Sequence, residues 1–294
     1  VPQSAVCHYR RSFTLPEGFK KDRVLLHFGA VDQEAAVFLN GKKLGSHQGG
    51  YHPFSFDITD HLLPHNLLTV EVKDHLDEGI SPYGKQKEKR GGMWYTPVTG
   101  IWQTVWLESV CSDPIKALHV TNTENRVHLE LEGTLSGGTL TLLETGETHP
   151  LHTGACDFEI AHPHLWSPED PFLYHFTVET ESGDQVRSYF ALRTLSSEIR
   201  NGVPRLCLNG KPYFFHGLLD QGYFPDGIFT PEKPEDYEKD ILLAKALGFN
   251  TLRKHIKIEP QVFYAACDRL GIIVFQDMVN NGRYSFLRDT ALPT

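Results

Sequence analysis

The stretch LGFNTLRKHIKIEPQVFYAACDRLGIIVFQDM, residues 247–278, differs in its hydrophobic pattern from most of the 294-residue chain. NTLRKH is typical of a short strand, and the apolar run IIVF is typical of a strand buried on both faces. Between them, Pro260 and Gly271 mark the two ends of a predicted helix. Its apolar residues share one face, and they are Val262, Phe263, Ala266, Cys267 and Leu270. The stretch therefore predicts a β-α-β unit.

The residues before this stretch extend the pattern towards the N-terminus. A strand is predicted over residues 213–216, and a helix with a proline at its entrance follows it. Tyr237, Ile241 and Ala244 recur at helical spacing, and Gly248 follows the helix end. The chain from about residue 205 is thus predicted to be β-α-β-α-β, with right-handed crossovers.

The preceding residues are predicted to form two β-sandwiches, over residues 1–110 and 111–196. Short apolar runs alternate there with Gly, Pro, Asn and Asp turns, and Asn40-Gly41 is a strong hairpin signal. The length of the second set fits an immunoglobulin-like sandwich. A third domain is predicted over residues 197–294, and it opens with hairpins at Asn201 and Asn209.

The composition limits the partners. A formal net charge of -9 gives no general attraction to nucleic acid or to anionic membranes, and we expect neither as a partner. The basic run from Lys85 to Arg90 is interrupted by Glu88 and indicates a solvated loop. No apolar run is long enough to span a bilayer.

The cysteines and the chain start bear on the compartment. Five scattered cysteines without a CxxC motif favour free thiols in a reducing compartment. We therefore expect a cytoplasmic protein. A periplasmic or secreted location stays open because the chain begins Val1-Pro2-Gln3, without an initiator Met, as if its true N-terminus were missing.

Several cofactor signatures are absent. There is no phosphate-binding loop, no GxGxxG, no HExxH, no GxSxG and no EF-hand loop. The HPH sequence at residues 162–164 lacks a partnering cluster, so surface or packing histidines are favoured over metal ligands. We expect no cofactor and no metal site in this chain, although a cation in a complete enzyme stays open.

Polar residues follow each strand of the α/β segment, where functional side chains collect in parallel sheets. Asp220 and Gln221 follow the first strand; Arg253, Lys254, His255 and Lys257 follow the second; Gln276 and Asp277 follow the third. For Arg253, a structural ion pair with Asp277 and a role in the site are equally supported. His255 and Asp277 are favoured as substrate contacts.

Four aromatic residues stand in the stretch GGMWYTPVTGIWQTVW. Trp102 and Trp106 fall within a predicted strand and are interpreted as core. Trp94 and Tyr95 lie in the Gly-rich segment before this strand. Aromatic faces are good platforms for sugar rings. Packing and ligand contact are equally supported for these two.

Five stretches in register carry a family resemblance. They are HFGAVDQEAAVFLNGKKLGSHQGGYHPFSFDIT, MWYTPVTGIWQTVWLE, LWSPEDPFLYHFTVET, LNGKPYFFHG and DILLAKALGFNTLRKHIKIEP with YAACDRLGIIVFQD. From about residue 8 to residue 278 the chain resembles glycoside hydrolase family 2, the family of β-galactosidases, β-glucuronidases and β-mannosidases. The resemblance implies a jelly-roll sugar-binding domain, an immunoglobulin-like sandwich and the start of a (β/α)₈ TIM barrel.

The resemblance also implies chemistry. Such enzymes are retaining exo-glycosidases that act on terminal β-linked sugars with two catalytic Glu residues. In the family these follow the fourth and seventh barrel strands, the first usually after an Asn. Only three barrel strands are predicted here and no Asn-Glu pair occurs, so we expect no catalytic residue in this chain and no activity of the chain alone. Glu259 and Asp277 are not candidates, because they precede the part of the chain that would correspond to the fourth barrel strand.

The resemblance leaves the sugar open. Gly91-Gly92 stand where well-known members carry an acidic residue, and RKHIK replaces a Ser-His-Tyr motif. The expected substrate-binding residues are His255, Lys257, Asp277, Gln276, Asp220, Trp94 and Tyr95. The alternative is a non-catalytic carbohydrate-binding or scaffold protein with a vestigial barrel start. A homo-oligomer is left open.

Overall fold

The computed structural model describes residues 6–75, 82–89, 91–133 and 137–279. Within these residues the protein is mainly β, with two α-helices towards the C-terminal end. The predicted mainly β fold class is confirmed. Neither helix in the described ranges is long and apolar enough to cross a membrane. Residues 280–294 of the predicted third domain lie outside the described residues.

The first β region, residues 6–110, packs two sheets around one core. Its strands are β1 (Val6–Phe13), β2 (Arg23–Phe28), β3 (Val31–Asp32), β4 (Glu34–Leu39), β5 (Lys42–Gln48), β6 (Phe54–Asp57), β7 (Asn66–Lys73), β8 (Gly100–Ile101) and β9 (Val105–Val110). The sheets have the orders β1-β7-β4-β5 and β6-β2-β9, and β3 pairs with β8. Alternation along the strands brings Val24, Val37 and Val70 into the shared core.

The hairpin predicted at Asn40-Gly41 is confirmed between β4 and β5. Both residues have positive φ, 53° and 81°, which Asn and Gly tolerate best. The Asn40 amide also donates to His61 O at 2.9 Å and accepts from Leu67 N at 2.9 Å. The turn residue therefore ties the hairpin to the neighbouring loop.

The second β region, residues 115–194, contains one folded sheet. Its strands are β10 (Ala117–Thr123), β11 (Arg126–Glu132), β12 (Gly137–Leu142), β13 (Thr148–His152), β14 (Ala155–Glu159), β15 (Tyr174–Thr180) and β16 (Gln185–Phe190). The order is β10-β11-β14-β13-β12-β15-β16, and only the pair His152 and Ala155 joins β13 to β14. Side chains from both halves, among them Leu129 and Phe176, share one core.

The remaining elements form a small antiparallel sheet and a parallel α/β region. They are β17 (Leu195–Arg200), β18 (Val203–Leu208), β19 (Lys211–Pro212), β20 (Gly217–Asp220), α1 (Glu235–Ala246), β21 (Thr251–Lys254), α2 (Gln261–Leu270) and β22 (Ile273–Gln276). The predicted turns at Asn201 and Asn209 connect β17, β18 and β19. β20, β21 and β22 pair in parallel, in that order.

The first parallel strand lies later than predicted. Residues 213–216 were expected to form it, but the strand is Gly217–Asp220. The Asn250 side chain accepts from His216 N and donates to Phe214 O, both at 2.9 Å, and so occupies these backbone groups before the ladder begins. Phe214 is 80% exposed, so its apolar character did not indicate burial.

The two helices pack much as predicted. Tyr237, Ile241 and Ala244 are the buried residues of α1, and Gly271 ends α2 in the left-handed conformation at φ 75°. The prediction for Val262 is wrong, because this residue is 43% exposed. At about 100° per residue it lies about 90° from the centre of the buried stripe of α2.

Trp102 and Trp106 differ in burial. Trp102 is buried as predicted, and its indole Nε1 donates to Gly50 O at 2.8 Å. The core prediction for Trp106 is wrong, because this residue is 43% exposed and stacks on His27 at 4.8 Å. The predicted single strand is interrupted between β8 and β9, so the two indoles do not share a face.

Aromatic packing joins the first β region to the α/β region. The ring of Phe229 lies 4.6 Å from that of Trp102 and 6.3 Å from that of Tyr51. Tyr223 OH donates to Thr96 O at 3.1 Å. These contacts place one end of the first β region against the carboxyl end of the parallel sheet.

Hydrogen bonds join the second β region to the α/β region. Trp166 Nε1 donates to Asp268 O at 2.8 Å, and Lys245 Nζ donates to Pro168 O at 2.7 Å and Leu270 O at 2.5 Å. Nearby, a cavity of about 440 Å³ has a mainly apolar lining that includes Cys207 and Phe275. All five cysteines are free, as predicted; Cys7 is half-buried and the others are buried.

The packing of α1 predicts a contrast between two adjacent residues. Ile241 is fully buried, whereas Leu242 is 51% exposed. Ile241→Ala should lower the free energy of unfolding by about 2–5 kcal/mol, because it leaves a cavity in the core. Leu242→Ala should change it by less than about 0.5 kcal/mol. Urea unfolding of both variants measures the difference, and equal losses would contradict this orientation of α1.

Candidate functional site

The carboxyl ends of the three parallel strands bring several of the predicted site residues together. His255 N donates to Asp220 O at 2.8 Å, and Asp277 N donates to Lys254 O at 3.0 Å. These backbone bonds continue the ladder just past the strands. Asp220, His255 and Asp277 are therefore neighbours, as expected for parallel strands that end at one edge.

Asp277 is the centre of a polar cluster that solvent reaches. Arg253 lies 2.9 Å from Asp277 Oδ2, and His255 Nδ1 lies 2.7 Å from the same oxygen. The ion pair considered for Arg253 is thus present. The hydrogen bond from Arg253, reinforced by the one from His255, lowers the pKa of Asp277 below its ordinary value.

The first β region supplies the other side of this cluster. Lys85 Nζ lies 3.2 Å from His255 Nε2, and the ring of Tyr95 lies 6.3 Å from that of His255. A lysine ammonium can only donate, so Nε2 accepts and Nδ1 carries the hydrogen that it donates to Asp277. His255 therefore lies between a lysine and a carboxylate that come from different parts of the chain.

Lys85 was missed as a site residue. The basic run was interpreted as a solvated loop, but Lys85 is half-buried against His255. No local pattern indicates this contact, because the two residues are 170 positions apart in the chain. Arg90 of the same run lies outside the described residues.

The two candidate aromatic residues take different positions. Tyr95 faces the cluster and makes an edge contact with Tyr223 at 5.6 Å, and burial raises the pKa of both phenols. Trp94 is half-buried, and Lys87 Nζ lies 4.1 Å above its ring. The structure thus brings Tyr95, but not Trp94, into contact with His255.

Beneath this cluster lies a buried network of charges. Glu259 Oε1 lies 2.8 Å from Lys254 Nζ and 2.9 Å from Lys257 Nζ, and Tyr237 OH donates to Glu259 Oε2 at 3.0 Å. Lys254 also pairs with Asp220 at 2.7 Å. Two cations and two anions are balanced, which is what allows charges to be buried.

Lys257 lies deep in this network rather than at the mouth of the site, where a sugar contact was predicted. Its side chain is 2% exposed. Nζ donates to Gly222 O at 2.6 Å and to Phe229 O at 2.5 Å. Burial lowers the pKa of Lys257 from 10.5 to about 8, although Glu259 opposes the change. The amine therefore binds groups of the protein itself rather than facing the exposed cluster.

Gln276 also binds protein groups. It accepts from Tyr264 OH at 2.6 Å and donates to Lys257 O at 2.9 Å. This amide holds the loop after β21 against β22, while Gln221 is exposed. Among the predicted substrate-binding residues, His255, Asp277 and Tyr95 are the ones that lie together in the polar cluster around Asp277.

No group of three His, Cys, Asp or Glu side chains in the described ranges could hold a metal ion. Of the HPH histidines, His162 is exposed, and His164 pairs with Asp170 at 2.6 Å and stacks on Phe172. Both are surface or packing residues, as predicted.

Comparison with known proteins identifies the family. Residues 3–100 match the glycosyl hydrolase 2 galactose-binding domain-like family, and residues 112–193 match glycosyl hydrolases family 2. The chain belongs to glycoside hydrolase family 2. The predicted resemblance is confirmed for the N-terminal part of that family.

Relatives with two activities match this family 2 chain. A β-galactosidase of Thermoanaerobacter pseudethanolicus is 25% identical over 93% of the chain and 39% of its own length. A β-glucuronidase of Bacteroides fragilis is 26% identical over 95% of the chain and 44% of its own length. The chain thus spans less than half the length of these relatives.

Solved structures share the fold. A β-glucuronidase from Ruminococcus gnavus in complex with D-glucuronic acid has a TM-score of 0.79 at 20% identity, covering 94% of this chain and 51% of that one. The Faecalibacterium prausnitzii β-glucuronidase has a TM-score of 0.75 at 25% identity, covering 93% and 50%. Both activities occur among the relatives, so membership of the family does not identify the sugar.

The ion pair of Asp277 predicts how the stability of the fold depends on pH in the acid range. The lowered pKa means that the pair stabilises the fold above the ordinary carboxyl pKa and that this contribution is lost as pH falls through the lowered value. Arg253→Met should raise the pKa of Asp277 towards its ordinary value, because the largest cause of the lowering is removed. Carboxyl ¹³C NMR titration measures it. Arg23→Met, which removes the exposed pair with Asp57, is the control and should leave Asp277 unchanged.

The burial of Lys257 predicts an ionisation near neutral pH. Its ¹³Cε resonance should titrate with a midpoint near 8, whereas exposed Lys239, paired with Asp236, should stay charged throughout this range. An unfolded lysine keeps its proton up to about pH 10.4. The free energy of unfolding should therefore rise between about pH 8 and pH 10.4, where folded Lys257 has lost a proton that the unfolded chain still binds. A midpoint of Lys257 above 10 would contradict the buried geometry.

Proposed function

We propose that this chain is the N-terminal part of a β-glycosidase that hydrolyses terminal β-linked sugars with retention of configuration. In this proposal the first β region is a jelly-roll sugar-binding domain and the second is an immunoglobulin-like sandwich. The parallel α/β region is the start of a (β/α)₈ barrel. The hydrolysis needs carboxylates and water, so no organic cofactor is proposed.

One observation carries the proposal. Lys85 and Tyr95 of the first β region contact His255, which binds Asp277, at the carboxyl ends of the parallel strands. That edge is where active sites of such folds lie. Charged donors, an acceptor and an aromatic ring converge there, which is the set of groups that can orient a sugar ring and its hydroxyls.

The carboxylates at this edge do not have the environment of a catalytic pair. Asp277 is held by Arg253, Asp220 pairs with Lys254, and Glu259 is buried with two lysines. A retaining glycosidase needs two carboxyl groups about 5 Å apart that flank the glycosidic bond. We therefore propose that the catalytic Glu residues lie outside the described residues and that His255 and Asp277 position the sugar.

The complete gene product tests the proposal. It should hydrolyse at least one of the nitrophenyl β-galactoside, β-glucuronide and β-mannoside, while residues 1–294 alone should hydrolyse none. Activity of residues 1–294 alone would overturn the placement of the catalytic carboxylates. Binding of these sugars without hydrolysis by the complete product would favour a carbohydrate-binding protein instead.

In the complete gene product, His255→Ala and Asp277→Asn should each lower kcat/KM by about 30- to 1,000-fold. The reason is that a hydrogen bond to a charged group is lost in the transition state, at a cost of roughly 2–4 kcal/mol. His164→Ala and Asp170→Asn break a similar surface pair and are the matched controls. Near-normal kinetics, or kinetic loss with an equal loss of stability, would give His255 and Asp277 a structural role.

A further inference from the structure

The loop between β20 and α1 is closed by a single buried amine. Lys257 Nζ donates to Gly222 O at one end of residues 222–229 and to Phe229 O at the other. Within this segment, Phe224 and Ile228 exchange two backbone hydrogen bonds, at 2.8 and 3.0 Å. The segment is therefore a compact loop whose two ends meet at one ammonium group.

The same segment carries the contacts to the first β region. Tyr223, next to Gly222, donates to Thr96 O and makes the edge contact with Tyr95. Phe229 is 3% exposed and packs against Trp102. Lys257 binds the carbonyl groups of Gly222 and Phe229. Gly222 is thus next to one residue that contacts the first β region, Tyr223, and Phe229 is the other.

Lys257 balances a charge and also binds a loop. Lys254 is shared between Glu259 and Asp220, so Lys257 completes the charge balance of the buried network. The distinct contribution of the second lysine is its pair of bonds to the loop carbonyls. Without the amine these carbonyls would lose a charged donor in a place that water reaches poorly, which is costly.

We propose that Lys257 is a positioning residue that locks residues 222–229 and thereby holds Lys85 and Tyr95 of the first β region against His255. The inference rests on the proposed function where it concerns sugar hydrolysis. The lock itself is a property of the chain and can be measured without any substrate.

Hydrogen exchange on residues 1–294 tests the lock. Lys257→Met removes the donors and retains most of the side-chain volume. Exchange of the Phe224 and Ile228 amides should become at least about tenfold faster, because the loop opens more often. Amides in the core of the second β region should keep their protection.

Lys245→Met is the matched control. Lys245 also donates to two carbonyls, those of Pro168 and Leu270, but it joins the α/β region to the second β region. This variant should speed exchange near Leu270 and leave residues 222–229 protected. Faster exchange across the whole α/β region in Lys257→Met would overturn the proposal, because it would indicate only a general loss of stability.

A double variant separates the two roles of the amine. Lys257→Met combined with Glu259→Gln removes one positive and one negative charge together and leaves Lys254 paired with Asp220. The proposed lock predicts that loop exchange stays at least about tenfold faster than in the wild type. Wild-type protection in this variant would show that Lys257 serves only as a counter-charge to Glu259. If Lys257→Met fails to fold, Lys257→Leu, which also lacks a donor, replaces it in both comparisons.

Kinetics of the complete gene product complete the test. Lys257→Met should lower kcat/KM by more than about tenfold at a temperature where the protein is folded, and Lys245→Met should change it less than about threefold. Equal kinetic effects of the two variants would overturn the positioning role. A complete gene product without glycosidase activity would remove the proposed function and leave the exchange result standing.

Discussion

The buried carboxylate of Glu259 is the group on which the α/β region depends. Lys254, Lys257 and Tyr237 donate to it, and Asp220 balances the second lysine charge. A charge removed from water is tolerated only when its partners are fixed in place. Because these partners come from β20, α1, β21 and the loop after β21, satisfying one carboxylate sets the relative positions of four elements.

The arrangement of the polar cluster around Asp277 follows from this network. Lys257 extends the buried charges to residues 222–229, and these residues contact the first β region through Tyr223 and Phe229. The first β region in turn brings Lys85 and Tyr95 to His255. The cluster at the strand ends is thus assembled from two regions, and its geometry depends on how firmly they are joined.

Local patterns predicted the elements better than the side-chain environments. The Asn40-Gly41 hairpin, the buried face of α1 and the Gly271 helix end follow from turn chemistry and from the 3.6-residue period, which act over a few residues. The edge of the sheet that holds the polar residues was also predictable, because parallel strands end together. These inferences need no knowledge of distant partners.

What could not be predicted depends on contacts between distant residues. A lysine after a strand is ordinarily exposed, and the burial of Lys257 requires Glu259 together with two carbonyls from another loop. The position of Lys85 requires His255, and the exposure of Trp106 requires the break between β8 and β9. In each case the deciding partner or break has no local sequence signal.

The parallel sheet presents two unlike faces. Leu252 and Val274 pack with the helices, whereas Leu219, Arg253 and Phe275 lie in register on the other face and are exposed. Parallel sheets are ordinarily covered on both faces. In the proposed barrel, this second face would line the interior, below the polar cluster around Asp277. Arg253 lies on that face between Leu219 and Phe275, and it pairs with Asp277. In the proposed barrel, its guanidinium would therefore connect the packing of the interior to the orientation of the side chains at the strand ends.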